Sequence, residues 1–129
     1  MLYEELTRKI IGAAMKVHSN LGNGFQEVIY QRCMSIELKK SAFDFAREIE
    51  MTIFYNGEEV GTRRVEFLVE NTLIVELKSI IDLNDIHICQ CRNYLEAYNL
   101  SVGLLINFGA VRLQYKRIYN TKHPECRKQ

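Results

Sequence analysis

Residues 64–78, R-V-E-F-L-V-E-N-T-L-I-V-E-L-K, decide the fold of this chain. Apolar side chains occupy alternate positions on both sides of residues 70–72, and alternate residues of a strand face the same side of a sheet. We therefore predict two antiparallel strands joined by a three-residue turn at 70–72. The predicted register brings three apolar pairs together on one face: Val69 with Leu73, Phe67 with Val75, and Val65 with Leu77.

The same register places two acidic residues opposite each other. Glu66 lies across from Glu76, and Arg64 across from Lys78. Like charges that face each other across a ladder are destabilising, so the acidic pair needs an explanation. A divalent cation provides one, because magnesium is commonly held by one or two carboxylates with water and substrate phosphate. Lys78 could then orient or deprotonate a water, or stabilise charge in the transition state. The alternative is a solvated sheet face on which Glu76 simply pairs with Lys78.

Composition limits the class of protein. The 129 residues are enough for a single domain, 1–129, whose last residues, 118–129, are expected to form a loosely ordered tail. The net charge of +1 gives no hint of a nucleic-acid partner, so any such site must be a local patch. No apolar run reaches the ~18 residues of a membrane span, and the first residues do not resemble a secretory signal. We expect a cytoplasmic protein without a membrane partner and with reduced cysteines.

Apolar periodicity and turn residues predict the other elements. Helices are expected at about 2–21, 25–40 and 85–98. Strands are expected from residue 43 onward, with a hairpin turn at Asn56-Gly57, a bulge at Gly61 and further strands at 72–79, 102–107 and 112–118. The buried stripe of the second helix is predicted to comprise Val28, Ile29, Cys33, Ile36 and Leu38.

Two of these helices carry candidate site residues on one face. Glu27 and Tyr30 are three residues apart on the second helix. Glu27 could equally be a first-turn charge that favours the helix dipole. On the third helix His87, Gln90 and Tyr94 share a face, and His87 is either a site residue or an exposed histidine of the first turn.

Together these motifs resemble a known group of enzymes. Glu66, followed on the next strand by Glu76-Leu77-Lys78, resembles the PD-(D/E)XK nuclease motif. Residues 24–30, G-F-Q-E-V-I-Y, resemble the signature of the GxxExxY family of that superfamily. Gln90 and Tyr94 are similar to the Q-x-x-x-Y motif of RecB-like exonucleases. The similarity covers residues 6–118.

The resemblance implies an α/β protein with a restriction-endonuclease-like mixed β-sheet flanked by helices. It implies a Mg²⁺- or Mn²⁺-dependent nuclease that hydrolyses phosphodiester bonds in nucleic acid, expected to be DNA, by means of a metal-activated water. Glu66 and Glu76 would be metal ligands and catalytic residues, Lys78 the catalytic lysine, and Glu27 a further member of the metal shell. The remaining candidates would support the site or touch the substrate: Gln90, Tyr94, Tyr30 and His87.

One departure leaves a second interpretation open. The superfamily usually has aspartate where Glu66 stands, and magnesium demands near-ideal octahedral geometry. The alternative is therefore a catalytically weak or inactive nuclease-fold module that binds nucleic acid or another partner. An open sheet edge at 112–118 could support a homodimer.

The cysteines raise one more question, because some RecB-like exonucleases hold an iron–sulfur cluster with four cysteines. Here Cys89 and Cys91 are two residues apart, and such side chains do not share a helix face. We therefore predict buried or idle thiols.

Overall fold

The computed structural model describes residues 2–127, which contain four helices and five strands. In chain order the elements are α1 (Glu4–Leu21), α2 (Glu27–Lys40), β1 (Phe45–Tyr55), β2 (Glu58–Val69), β3 (Leu73–Lys78), α3 (Asp85–Ala97), β4 (Val102–Asn107), β5 (Gln114–Tyr119) and α4 (Pro124–Arg127). Asn84 caps α3, because its side chain accepts the Ile86 N–H at 3.1 Å.

The strands form one mixed five-stranded sheet in the order β1-β2-β3-β4-β5. Neighbouring strands are antiparallel except β3 and β4, which are parallel. A parallel pair needs a crossover connection, and α3 supplies it. The predicted class, a restriction-endonuclease-like mixed sheet flanked by helices, is confirmed, and β5 lies at a sheet edge.

The core has two layers, one on each face of the sheet. On one face α1 and α2 pack against β2, β3 and β4, with Tyr30 and Met34 beside Phe67 and Val75. On the other face α3 packs against the sheet through Cys91 and Leu95. Since both faces are covered, β3 is buried from Leu73 to Leu77.

The turn between β2 and β3 has the predicted length. Val69 pairs with Leu73, and the Thr72 N–H donates to the Val69 carbonyl at 3.0 Å. Glu70 and Asn71 adopt left-handed φ values of 53° and 57°. The pairing of Phe67 with Val75 is confirmed as well.

The ladder between β2 and β3 is shorter than predicted, because its last pair is Phe67 with Val75. Val65 is buried on the α3 side of the sheet, whereas Leu77 is buried on the α1 and α2 side. The predicted pairs of Val65 with Leu77 and Arg64 with Lys78 are therefore wrong. The physical reason is that side-chain carboxylates occupy backbone N–H groups where the ladder would continue, as described below.

The buried face of α2 also differs from the prediction. Its buried residues are Tyr30, Gln31, Met34, Ser35 and Leu38. Val28 and Ile36 are 39% and 55% exposed, so these two members of the predicted stripe are wrong. Leu38 is buried, and Cys33 is partly buried and packs against the core. Apolar residues lie on several sides of this helix, and the packing of Tyr30 decides which side is buried.

Two smaller predictions concern the β1–β2 hairpin and the end of the chain. The register of the hairpin shifts between Ile53 and Phe54, next to the pair of Ile53 with Gly61, which confirms the predicted bulge. Within the predicted tail, residues 125 and 126 contact the rest of the fold. The Tyr3 hydroxyl donates to the Glu125 carboxylate at 2.8 Å, and the Cys126 thiol to the Ser101 carbonyl at 3.4 Å. Residues 128–129 lie outside the described part of the chain.

Candidate active site

The site is built where β2 and β3 separate. Beyond the pair of Phe67 with Val75, the Glu66 N–H donates to Glu76 Oε2 at 2.9 Å. The Leu77 N–H donates to Glu66 Oε1 at 3.1 Å. Each carboxylate thus accepts a backbone N–H from the strand that carries the other acid. The structure brings the predicted acidic pair together at this strand fork, which we define as residues 66 and 76–78.

Burial and neighbouring carboxylates raise the pKa of both acids. Burial, together with the charges of Glu76 and Glu27, raises the pKa of Glu66 to about 8, although the hydrogen bonds from Gln31 and Leu77 act to lower it. Burial raises the pKa of Glu76 to about 7, although its bond from Glu66 and the charge of Lys78 lower it. Glu76 is only 8% exposed, so the alternative of a solvated sheet face does not apply to it. Such perturbed acids are typical of functional sites.

Gln31 is a site residue that the sequence prediction missed. It lies on α2 and donates a hydrogen bond of 2.5 Å to Glu66 Oε2. A signal for it existed, because Gln31 follows Glu27 by four residues and so shares its helix face. The bond holds the Glu66 side chain from the α2 side while Leu77 holds it from β3.

Glu27 is the first residue of α2 and points its charge toward the fork. Burial raises its pKa, whereas the charge of Lys78 and the Glu66 carboxyl lower it. The structure therefore couples Glu27 electrostatically to the acidic pair.

Lys78 ends β3 and is half-buried. Its charge lowers the pKa of both Glu27 and Glu76. Within residues 2–127 its ammonium forms no ion pair shorter than 4.0 Å. The charge of Lys78 is thus close to the acids but is not neutralised by a direct contact.

The face of α3 closes the other side of the fork. His87, Gln90 and Tyr94 line a cleft of about 20 Å³ together with Glu76 and Lys78. That volume is close to the space one water molecule needs. His87 Nδ1 is buried there without a hydrogen-bond partner among the described residues. The three α3 residues predicted from their spacing therefore share a cleft with Glu76 and Lys78.

Tyr30 supports the site from inside the core. Its side chain is fully buried, and its ring stacks on Phe108 with centroids 4.5 Å apart. Its hydroxyl donates to the Gly22 carbonyl at 2.6 Å and accepts the Phe25 N–H at 3.2 Å. These bonds close the loop between α1 and α2, and that loop leads directly to Glu27.

A second supporting residue, Asn107, was also missed. It is fully buried, accepts the Ile80 and Gly109 N–H groups at 3.0 Å each, and donates to the Ile80 carbonyl and to Gln114 Oε1. This network holds the connection that follows Lys78. Gly109 packs so closely that an added Cβ would lie 2.3 Å from the Ile80 nitrogen. The sequence did contain a signal for Asn107, because a polar residue ends the apolar strand β4 and a glycine follows it two residues later.

The residues at the fork fit a hard divalent cation as a pair of carboxylate ligands. Glu76 Oε1 accepts no hydrogen bond from the described residues and is free to bind a cation. Across residues 2–127 no group of three or more His, Cys, Asp or Glu side chains is arranged to hold a metal ion. The pair thus offers the one or two carboxylates that magnesium commonly uses.

Other predictions concern cysteines and membranes. Cys33, Cys89, Cys91 and Cys126 are free thiols, and only Cys91 is fully buried. No helix in the described part of the chain, 2–127, is long and apolar enough to span a membrane.

Fold and site together define a class: a mixed α/β sheet with two acids and a lysine at a fork between neighbouring strands. A family model described as "PD-(D/E)XK nuclease superfamily" matches residues 4–118. The chain therefore belongs to the PD-(D/E)XK nuclease superfamily, a group of nucleases.

A solved structure titled "Crystal structure of SSO0001" has a similar fold, with a TM-score of 0.60 and 18% identity. The match covers 91% of this chain and 59% of that one, so this chain spans about three fifths of its length. No curated protein matches the sequence.

Proposed function

We propose that this protein is a nuclease of the GxxExxY type that hydrolyses phosphodiester bonds in DNA with Mg²⁺ or Mn²⁺. The observation that carries the proposal is the strand fork, where Glu66 and Glu76 meet with Lys78 two residues further on. Membership of the nuclease superfamily supports the reaction class. We further propose that the substrate is DNA, that the cation is Mg²⁺ or Mn²⁺, and that the residues have the individual roles given next.

In this proposal each side chain has a distinct role. Glu66 and Glu76 hold the cation, which when bound polarises a phosphoryl oxygen and lowers the pKa of water. Lys78, with no close ion pair, orients the attacking water or stabilises charge on the phosphoryl group. Glu27 joins the ligands around the cation, either directly or through a water molecule.

The remaining residues hold or line the site. Gln31 fixes the Glu66 carboxylate, and Tyr30 holds the loop before Glu27. His87, Gln90 and Tyr94 form the wall that faces the substrate. We expect the protein to act in the cytoplasm, and a homodimer across the edge strand β5 is a prediction that sedimentation at several concentrations would check.

Cleavage of labelled DNA in Mg²⁺, in Mn²⁺ and in EDTA tests the proposal. We expect metal-dependent cleavage by the natural protein and at least ~100-fold less by Glu76→Gln and Lys78→Met, since each removes a charge at the reacting centre. Glu58→Gln and Lys39→Met are matched controls, because both residues are exposed, Glu58 lies at the β1–β2 turn and Lys39 in the last turn of α2. Absence of cleavage by the natural protein in either metal, or equal cleavage by Glu76→Gln, would contradict the proposal.

A second candidate function is a DNA-binding module without catalysis. Two observations favour it. Within residues 2–127 no group of three or more His, Cys, Asp or Glu side chains is arranged to hold a metal ion, and Glu66 stands where the superfamily usually has aspartate. Against it, the longer Glu66 side chain is used here, since it reaches both Leu77 and Gln31. The module predicts salt-dependent DNA binding that needs no metal. Calorimetric titration with Mn²⁺ separates the two, because the module should show no saturable site that Glu76→Gln removes.

A further inference from the structure

We propose that the groove between the β1–β2 hairpin and α3 binds one unpaired nucleotide next to the scissile phosphate. The groove has a volume of about 320 Å³. Its lining residues are Ile53, Arg63, Gln90, Asn93, Tyr94 and Ala97. The inference depends on the proposed function, because it takes the substrate to be a nucleic acid.

The groove is continuous with the candidate active site. Gln90 and Tyr94 line both the groove and the small cleft that contains Glu76 and Lys78. A strand whose phosphate lies at Glu76 and Lys78 would therefore place its neighbouring nucleotide across Gln90 and Tyr94.

The charge of the groove suits an anionic strand. Arg63 is the charged side chain among the lining residues, and none of them is acidic. Its charge lowers the pKa of Tyr94, which lines the same groove, against the effect of burial. A phosphate at this point would meet the Arg63 guanidinium and the Tyr94 hydroxyl, whereas the Tyr98 hydroxyl already donates to the Met51 carbonyl at 3.2 Å.

The walls of the groove suit a base. Ile53, Tyr94 and Ala97 supply apolar surface, and unpaired bases stack on aromatic side chains. Gln90 and Asn93 are exposed, and their amides form no hydrogen bond with the described residues. Amides of this kind bond to base edges. The volume is near the lower limit for ligand pockets, ~300 Å³, and suits a single nucleotide but not a base-paired duplex.

The consequence is a preference for a single-stranded nucleotide beside the cleavage point, such as an overhang or a frayed end. Binding can be measured by fluorescence anisotropy in EDTA, with a labelled single-stranded DNA oligonucleotide and the blunt duplex of the same sequence. We expect the natural protein to bind the single strand about tenfold more tightly than the duplex, since stacking is available to unpaired bases alone.

Ala97→Leu fills the groove without touching the acids or Lys78. It should weaken binding of the single strand about tenfold, whereas Cys89→Leu, an exposed position of the same helix outside the groove, should leave it unchanged. Arg63→Gln should reduce the slope of log affinity against log salt by about 1. Thermal unfolding of each variant checks that it is folded. If Ala97→Leu does not fold, Arg63→Gln still tests the inference.

Equal binding of the single strand and the duplex, or equal effects of Ala97→Leu and Cys89→Leu, would overturn the inference. Because binding is measured without metal, its failure is separable from failure of the proposed function. Cleavage without a preference for single-stranded DNA contradicts only the proposal that the groove binds an unpaired nucleotide. Single-strand binding that Ala97→Leu weakens, without cleavage in Mg²⁺ or Mn²⁺, supports the groove and contradicts only the nuclease.

Discussion

The Glu66 N–H donates to the Glu76 carboxylate, and this bond stands where the ladder between β2 and β3 ends. Two buried acids at the end of a ladder oppose folding, because burial penalises their charged forms and each raises the energy of its neighbour. The fold retains them in the middle of a well-packed sheet. A cation that binds both would remove the repulsion, and for this reason the arrangement indicates a function.

The stability of the metal-free protein should fall as the pH rises from about 5 to 8. The pKa of Glu66 is raised from 4.5 to about 8 and that of Glu76 from 4.5 to about 7. Between these limits the folded protein retains protons that the unfolded chain has released, so raising the pH favours unfolding. Urea unfolding at intervals across this range measures the slope.

The matched variants for this prediction are Glu76→Gln and Glu58→Gln. Glutamine can still accept the Glu66 N–H, so Glu76→Gln should flatten the slope and stabilise the protein at pH 8 by about 1–3 kcal/mol. Glu58→Gln, at an exposed residue, should retain the slope. Added Mn²⁺ should stabilise the natural protein more at pH 8 than at pH 5, because binding releases protons. The same slope in the natural protein and in Glu76→Gln would show that these acids do not titrate as described.

Gln31→Leu should weaken metal binding. The substitution removes the donor to Glu66 and puts an apolar side chain of similar size in its place on α2. Losing a residue that orients a metal ligand typically costs 10–100-fold in affinity or activity, and we expect ~10-fold or more here. The measurement is the Mn²⁺ concentration that gives half-maximal cleavage. Gln26→Leu is the control, because Gln26 precedes α2 and its side chain makes no capping bond. An unchanged half-maximal concentration would exclude a role for Gln31.

Tyr30→Phe should destabilise the protein by about 1–3 kcal/mol. The ring can still stack on Phe108, but the Gly22 carbonyl and the Phe25 N–H lose their partner. We also expect slower cleavage, because the loosened loop leads to Glu27. Urea unfolding gives the stability, and Tyr55→Phe, at a residue 69% exposed, is the control. If Tyr30→Phe and Tyr55→Phe unfold alike, the hydroxyl does not hold this loop.

Asn107→Leu should cost more, about 3 kcal/mol or above, since four hydrogen bonds are lost and several buried groups remain unpaired. Thermal unfolding measures the loss. Asn20→Leu, on the exposed face of α1, should change the melting temperature little. A small effect at Asn107 would mean that water replaces the lost bonds and that the segment after Lys78 does not depend on this network.

Local pattern was enough to predict the hairpin from β2 to β3. The alternation on both sides of residues 70–72 admits one turn length, and the observed pairs of Val69 with Leu73 and Phe67 with Val75 follow from it. The same is true of α3, where spacing alone put His87, Gln90 and Tyr94 on one face.

Long-range contacts decided what local pattern could not. The apolar residues of α2 lie on several sides, so its buried face depended on Phe108, which is far away in the chain and stacks on Tyr30. The end of the ladder depended on where the Glu66 and Glu76 carboxylates found donors. Asn107 became a supporting residue only because the segment after Lys78 folds onto it.

The sequence by itself determined the turn between β2 and β3, the shared α3 face of His87, Gln90 and Tyr94, and the presence of the two acids and the lysine on adjacent strands, because periodicity and turn chemistry act between near neighbours. Only the tertiary structure decided how the acids are held, which face of α2 is buried, and that a groove beside α3 joins the site. Those features depend on contacts between residues distant in the chain, and no local pattern records such contacts.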